Sequence, residues 1–208
     1  MAINAHNQDI KRFFDIIMAI LLIILFSPVF LGIALLIKLT SPGEIIFKQQ
    51  RLGVNGQVFW MYKFRSMVKN AVNMGSGMFI EEKDSRITPV GKLLRKTSLD
   101  ELPQLFNVVK GEMSLIGPRP APLHHLAKYD FRQIKRLSVR PGITGWAQVN
   151  GRVVLYWPER IEMDLWYIEN YSFMLDLKIL LKTFVSVFRR KGTAARADRK
   201  DKDPFMKI

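Results

Sequence analysis

The chain has 208 residues, 49% of them hydrophobic, no cysteine, and 32 Lys and Arg against 18 Asp and Glu, a formal net charge of +14. The size favours one domain with an adequate apolar core. The lack of cysteine excludes disulfides, thiolate metal sites and thiol nucleophiles, which fits a reducing compartment, and the charge predicts an anionic partner: nucleic acid, phospholipid or a phosphorylated substrate.

The first predicted element is the charge-free run from Ile16 to Ile37. As one helix it would be roughly 33 Å long, enough to cross a bilayer core. It does not fit a cleaved signal peptide, because the run is too long and no small-x-small site follows. Ser27-Pro28 lies at its middle. Proline lacks the N–H and clashes with the preceding turn, so the helix bends or breaks there, and a serine hydroxyl can satisfy the freed carbonyl. Lys11 and Arg12 precede the run, and Lys38, Lys48 and Arg51 follow it. A simple spanning anchor places its basic flank on one side. Basic flanks at both ends suit a re-entrant helix with both ends on the cytoplasmic face.

"EIIFKQQRLG" and "QVFWMYKFRSM", joined through Gly53, Asn55 and Gly56, predict a hairpin. Residues 70–91 read as a polar connection and "GKLLRKTSL" as a helix or turn. "APLHHLAKYDFRQIKRL" reads as a basic helix, with His124 and His125 at the surface, since adjacent side chains on a helix cannot face one metal. "RPGITGWAQVNGR" reads as a turn-rich loop, and "ERIEMDLWYIENY" as a helix. A last helix, Phe173 to Lys191, is apolar around more than one stripe, with Lys178 and Lys182 four apart, as in a helix lying on an anionic membrane surface. The expected fold is α+β and mainly helical: a re-entrant membrane helix (1–40), a catalytic domain with a small β-hairpin and interfacial amphipathic helices (41–191), and a basic, disordered tail (192–208).

"TSLDELPQLFNVVKGEMSLIGPRP" places Asp100 and Glu101 together, with Arg119 between Pro118 and Pro120 about one short helix downstream. The pair has a structural reading. Ser98 with Glu101 fits a capping box, and Asp100 itself could cap the helix that Pro103 opens. It also has a chemical one. A carboxylate held ionised at a helix start can attack phosphorus or bind Mg²⁺. A guanidinium preset by flanking prolines can grip a diphosphate. Candidate phosphate or nucleotide contacts are Lys63, Arg95, Arg119, Arg140, Gln148 and Arg152.

"GKLLRKTSLDELPQLFNVVKGEMSLIGPRP", "RPGITGWAQVNGR" and the Ser27-Pro28 break together resemble the bacterial sugar transferases. More narrowly, they resemble the small monotopic polyprenyl-phosphate phosphoglycosyl transferases. The resemblance implies transfer of a sugar-1-phosphate from a UDP-sugar to undecaprenyl phosphate, with release of UMP, at the cytoplasmic face of the bacterial inner membrane. It implies Asp100 as nucleophile through a covalent phosphosugar intermediate, Glu101 beside it, Mg²⁺ at the acidic pair, and a re-entrant proline-broken helix. Phospholipid and downstream glycosyltransferases are the further expected partners, and nucleic acid is not. The alternative is a membrane-anchored, non-enzymatic binder of an anionic partner.

Overall fold

The computed structural model describes residues 5–74, 84–151, 155–189 and 205. The fold is mainly helical with small sheets. Helix α1, Ala5–Leu25, meets α2, Ser27–Thr40, at Phe26, and the two arms bend by 61°. The bend has a local cause. Pro28 has no N–H for the carbonyl of Ile24, and Ser27 Oγ donates there instead (2.8 Å). Among the described residues no single helix is long and apolar enough to cross a membrane; the bent pair taken together is.

The basic residues before the apolar run are occupied. Lys11 Nζ bonds Asp176 (2.7 Å), and Arg12 donates to the carbonyls of Val108 and Val109. Asp15, buried one turn on, accepts from Ser114 Oγ (2.7 Å). The amino end of α1 is therefore built into the domain.

Strands β1, Ile46–Leu52, and β2, Val58–Phe64, form the expected antiparallel hairpin, with Leu52 opposite Val58 and Ile46 opposite Phe64. Asn55 and Gly56 take positive φ in its connection. Next come α3, Pro89–Thr97, and α4, Gln104–Lys110, joined by a 3₁₀ turn at Leu99–Glu101. The short β3, Ser114–Ile116, pairs in parallel with β4, Gly142–Thr144. A β-carbon on Gly117, Gly142 or Gly145 would collide with backbone of the facing segment, so this pair closes only on glycine. Helices α5, Trp146–Asn150, α6, Trp157–Glu169, and α7, Phe173–Arg189, complete the chain.

One apolar cluster (Ala19, Phe59, Met61, Leu105, Val108, Met113) joins α1 to β2 and α4. A second (Ile33, Ile37, Phe64, Leu94) joins α2 to β2 and α3. A third sets Tyr167, Ile168, Leu175 and Ile179 of α6 and α7 against Ile116 of β3. On its other side α7 exposes Met174, Leu177, Leu181, Phe184 and Val185. Lys178 and Lys182 lie over the Trp146 ring, 5.8 and 4.7 Å from its centroid.

Three expectations need correction. The segment after Pro120 is not one helix. It forms two 3₁₀ stretches, Leu123–Lys128 and Gln133–Ser138. The tighter winding turns His125 inward, fully buried against Trp157 with ring centroids 4.4 Å apart. It is a core residue, and burial holds its imidazole far below the usual range. The segment around Gly142 is a strand and a helix rather than a loop, because β3 supplies a partner that local sequence does not announce. Within 70–91, residues 75–83 lie outside the described residues; the two ends are tied by Arg86, which donates to the carbonyls of Ala71 and Met74 (both 2.7 Å) and to Asp84. Within 192–208 only Phe205 is described. It is buried against Trp157, Ile161 and Leu165.

Candidate active site

The acidic pair caps no helix. Thr88 caps α3, accepting from Gly91 N (2.9 Å), and Pro103 precedes α4. Ser98 ends α3 in the left-handed conformation (φ 59°) and makes no side-chain cap bond to the 3₁₀ turn that follows. α3 ends too early for Ser98 to open the next helix, so the capping box does not form. Asp100 and Glu101 are left projecting from a tight turn between two short helices.

Their environments differ. Glu101 is gripped: Lys63 Nζ lies 2.7 Å from its Oε1, and Arg119 Nη2 lies 2.7 Å from the same oxygen. Arg119 Nη1 reaches Oε2 at 3.4 Å. Burial pushes the Glu101 carboxyl up, but the charges and hydrogen bonds of Arg119 and Lys63 outweigh it and hold it far below the usual carboxylate range. Asp100 is 8% exposed, and no described residue hydrogen-bonds its carboxylate. Burial, then the Glu101 charge, push it up to about 6, against the pull of Lys63, Arg95 and Arg119. The helix-start argument for an easily ionised aspartate therefore fails. Asp100 ionises in spite of its surroundings.

Each cation is delivered by a separate element. Lys63 comes from β2, whose edge is pinned by the fully buried Asn107 of α4. That carboxamide accepts from Tyr62 N (3.0 Å) and donates to Trp60 O (2.7 Å). Arg95 comes from the last turn of α3, its Nε on Ser66 Oγ (2.8 Å). Gly91 makes that approach possible, since a β-carbon there would strike the Ser66 carbonyl. Arg119 follows β3 in a loop held at both prolines. The Pro118 carbonyl accepts from Gly142 N (2.8 Å), and Ala121, after Pro120, bridges Leu52. Beneath the loop the buried Arg136 donates to the Arg119 carbonyl (2.6 Å), to Asp164 (2.7 Å) and to Tyr129 Oη (2.9 Å).

Of the residues singled out from sequence, Lys63, Arg95, Asp100, Glu101 and Arg119 come together. Arg140 and Gln148 do not join them. Arg140 Nε bonds the Gly111 carbonyl (3.1 Å) and lines a small cavity with Lys11, Arg12 and Asp15. Gln148 Nε2 faces the Ile143 carbonyl (3.3 Å). Arg152 lies outside the described residues. Sequence reasoning passed over Arg51, which interacts with Arg119 and Glu101, and Arg136 with Asp164. The signals available were weak: a charged residue closing a strand, and an Arg and an Asp 28 residues apart with no shared motif.

This arrangement, a free carboxylate beside a clamped one amid four cations, is accompanied by clear sequence kinship. The profile of the family described as bacterial sugar transferase matches residues 6–190. The chain belongs to the bacterial sugar transferase family. It is 43% identical over 183 residues to the uncharacterized sugar transferase EpsL of Bacillus subtilis, covering 88% of this chain and 89% of that one. It is 46% identical over 190 residues to the UDP-N-acetylgalactosamine-undecaprenyl-phosphate N-acetylgalactosaminephosphotransferase of Aeromonas hydrophila. It is 44% identical over 200 residues to the UDP-glucose:undecaprenyl-phosphate glucose-1-phosphate transferase of Escherichia coli. The matches span 88% and 91% of this sugar transferase but 44% and 42% of those two longer proteins. Kinship with such phosphotransferases makes it a phosphoglycosyl transferase.

Proposed function

We propose that this enzyme moves a sugar-1-phosphate from a UDP-sugar to undecaprenyl phosphate in two displacements. Asp100 attacks the β-phosphorus, the bond to the bridging oxygen breaks, and UMP leaves with that oxygen. The enzyme then holds the sugar phosphate as an aspartyl acyl phosphate. An oxygen of undecaprenyl phosphate attacks the same phosphorus, the Asp100 oxygen leaves, and undecaprenyl-diphosphate sugar forms. A glycosyl transfer that extends this product is the reaction class that follows.

The observation that carries the assignment is the asymmetry of the pair. Glu101 is committed to Lys63 and Arg119, whereas Asp100 has no hydrogen-bond partner among the described residues. Glu101 orients the two cations, which face the charge that develops on the phosphoryl oxygens. Asp100 also offers hard oxygen to Mg²⁺. Among the described residues no three His, Cys, Asp or Glu gather, so the ion would complete its shell with substrate oxygens and water. Mg²⁺ when bound would neutralise diphosphate charge.

Membrane attachment follows from the same reading. The bent α1–α2 pair enters one leaflet and returns, and the outer faces of both arms and of α7 carry exposed leucine, isoleucine and phenylalanine. On this reading Asp100 lies at the cytoplasmic surface of the inner membrane, where a lipid-borne phosphate can reach it.

Asp100→Asn keeps the shape and removes the anion. Turnover, read as UMP released from UDP-sugars with undecaprenyl phosphate, is expected to vanish while the protein stays folded. Rapid quench and mass analysis of wild type with donor alone should find the sugar phosphate on Asp100. Substantial turnover by the variant, or a label on another residue, would overturn the assignment.

A further inference from the structure

The last bridge of the hairpin carries Arg51 into the site. Leu52 N donates to the Ala121 carbonyl (2.9 Å), and this pairing sets Arg51, one residue before, beside Arg119, two residues before. The Arg51 guanidinium holds nothing in the fold together. Its Nη2 donates only to Gln49 Oε1 (2.6 Å), two residues back on the same strand. Its Nε is closed off from solvent with no partner, and its Nη1 bonds none of the described residues. Other arginines of the core behave differently: Arg65 and Arg136 each clamp distant backbone carbonyls.

Burial, then the charge of Arg119, lower Arg51 to about 10, with Glu101 pulling the other way. A half-buried cation with one N–H shut off from water, next to a like charge and tying nothing down, costs stability unless a ligand compensates it. The charge balance points the same way. Arg51, Lys63, Arg95 and Arg119 face Asp100 and Glu101, so four positive charges meet two negative ones. The excess of two matches a phosphate dianion or a diphosphate.

We propose that Arg51 is an anion-binding residue of this site, seating a phosphate dianion or diphosphate jointly with Arg119 through its unpaired N–H groups. Guanidinium donors suit phosphate oxygens in geometry as well as charge. The anion has two possible sources, the diphosphate of a nucleotide donor or the monophosphate of a polyprenyl acceptor. Their naming rests on the function proposed above; the seat itself does not.

The test uses the full chain in detergent micelles, titrated calorimetrically with pyrophosphate, UDP and a short polyprenyl phosphate. Arg51→Gln and Arg51→Met are expected to melt no lower than wild type, since each removes an uncompensated charge. Each should bind pyrophosphate about tenfold or more weakly. With pyrophosphate binding weakened, a matching loss for UDP but not for the polyprenyl phosphate assigns the seat to the donor, and the reverse assigns it to the acceptor. Unchanged pyrophosphate affinity in either folded variant overturns the proposal, as does an affinity loss in both accompanied by a fall in melting temperature. Wild type that binds pyrophosphate through Arg51 yet releases no UMP from any UDP-sugar would refute the reaction and leave the seat standing. Wild type with no pyrophosphate affinity would refute the seat.

Discussion

A carboxylate that attacks phosphorus must be an anion, and Asp100 becomes one only against burial and the neighbouring charge of Glu101. Its folded-state pKa of about 6 lies above the model-compound value of 3.8. A raised acid pKa contributes stability that is fully present below about 4 and is lost as pH rises through about 6. Above pH 6 the ionised Asp100 therefore costs stability, on the order of 3 kcal/mol. Asp100→Asn is expected to melt higher than wild type at pH 8, with the gap closing toward pH 4; wild-type turnover should fall as pH drops through about 6. Melting curves across that range check the first, and a variant less stable than wild type at every pH would refute it. The pair itself was legible in sequence, because adjacent acids before a proline stand out. Its division of labour was not, because Glu101 receives Lys63 from 38 residues upstream and Arg119 from 18 downstream. Nothing local to Asp100-Glu101 tells which acid is clamped.

Elements governed by local rules were readable and elements governed by partners were not. Pro28 breaks the helix wherever the chain goes, and the Gly53–Gly56 turn closes a hairpin from its own φ preferences. The three-residue strands β3 and β4 carry no periodicity, and exist because Ser114 meets Gly142 across the loop that ends in Pro141. The break makes topology testable in a chain without cysteine. Ala5→Cys and Glu44→Cys, each labelled with a membrane-impermeant thiol reagent, should both stay unlabelled in intact cells and react after permeabilisation. Labelling of one end alone from outside would restore a spanning anchor. Pro28→Ala returns the Ile24 carbonyl its backbone donor and should shift the population toward spanning.

At the scale of the molecule, the site is where the hairpin, the α3–α4 turn and the post-β3 loop converge, and Arg136 braces the loop from behind. Arg136 and Asp164 form a pair with both side chains 1% exposed. Arg136→Leu alone strands a buried carboxylate and should cost about 3–5 kcal/mol. Arg136→Leu with Asp164→Leu should recover most of that stability while leaving the Arg119 carbonyl unbraced, so kcat is expected to fall about tenfold. Double-variant turnover within twofold of wild type, read with the melting curves, would reduce Arg136 to packing. The anchoring of α1 has a consequence of another kind, for biogenesis. Lys11 and Asp15 leave the ribosome well before their partners, since Asp176 and Ser114 follow 165 and 99 residues later. At about 5–20 residues per second, Lys11 waits roughly 8–33 seconds for its partner. In the proposed re-entrant arrangement the nascent helix holds its half-inserted position through that interval on the Pro28 bend and its apolar face alone. The helix that enters the membrane in that arrangement is thus among the last segments to be locked to the domain, and a chain released early would carry that helix with its polar end unmatched.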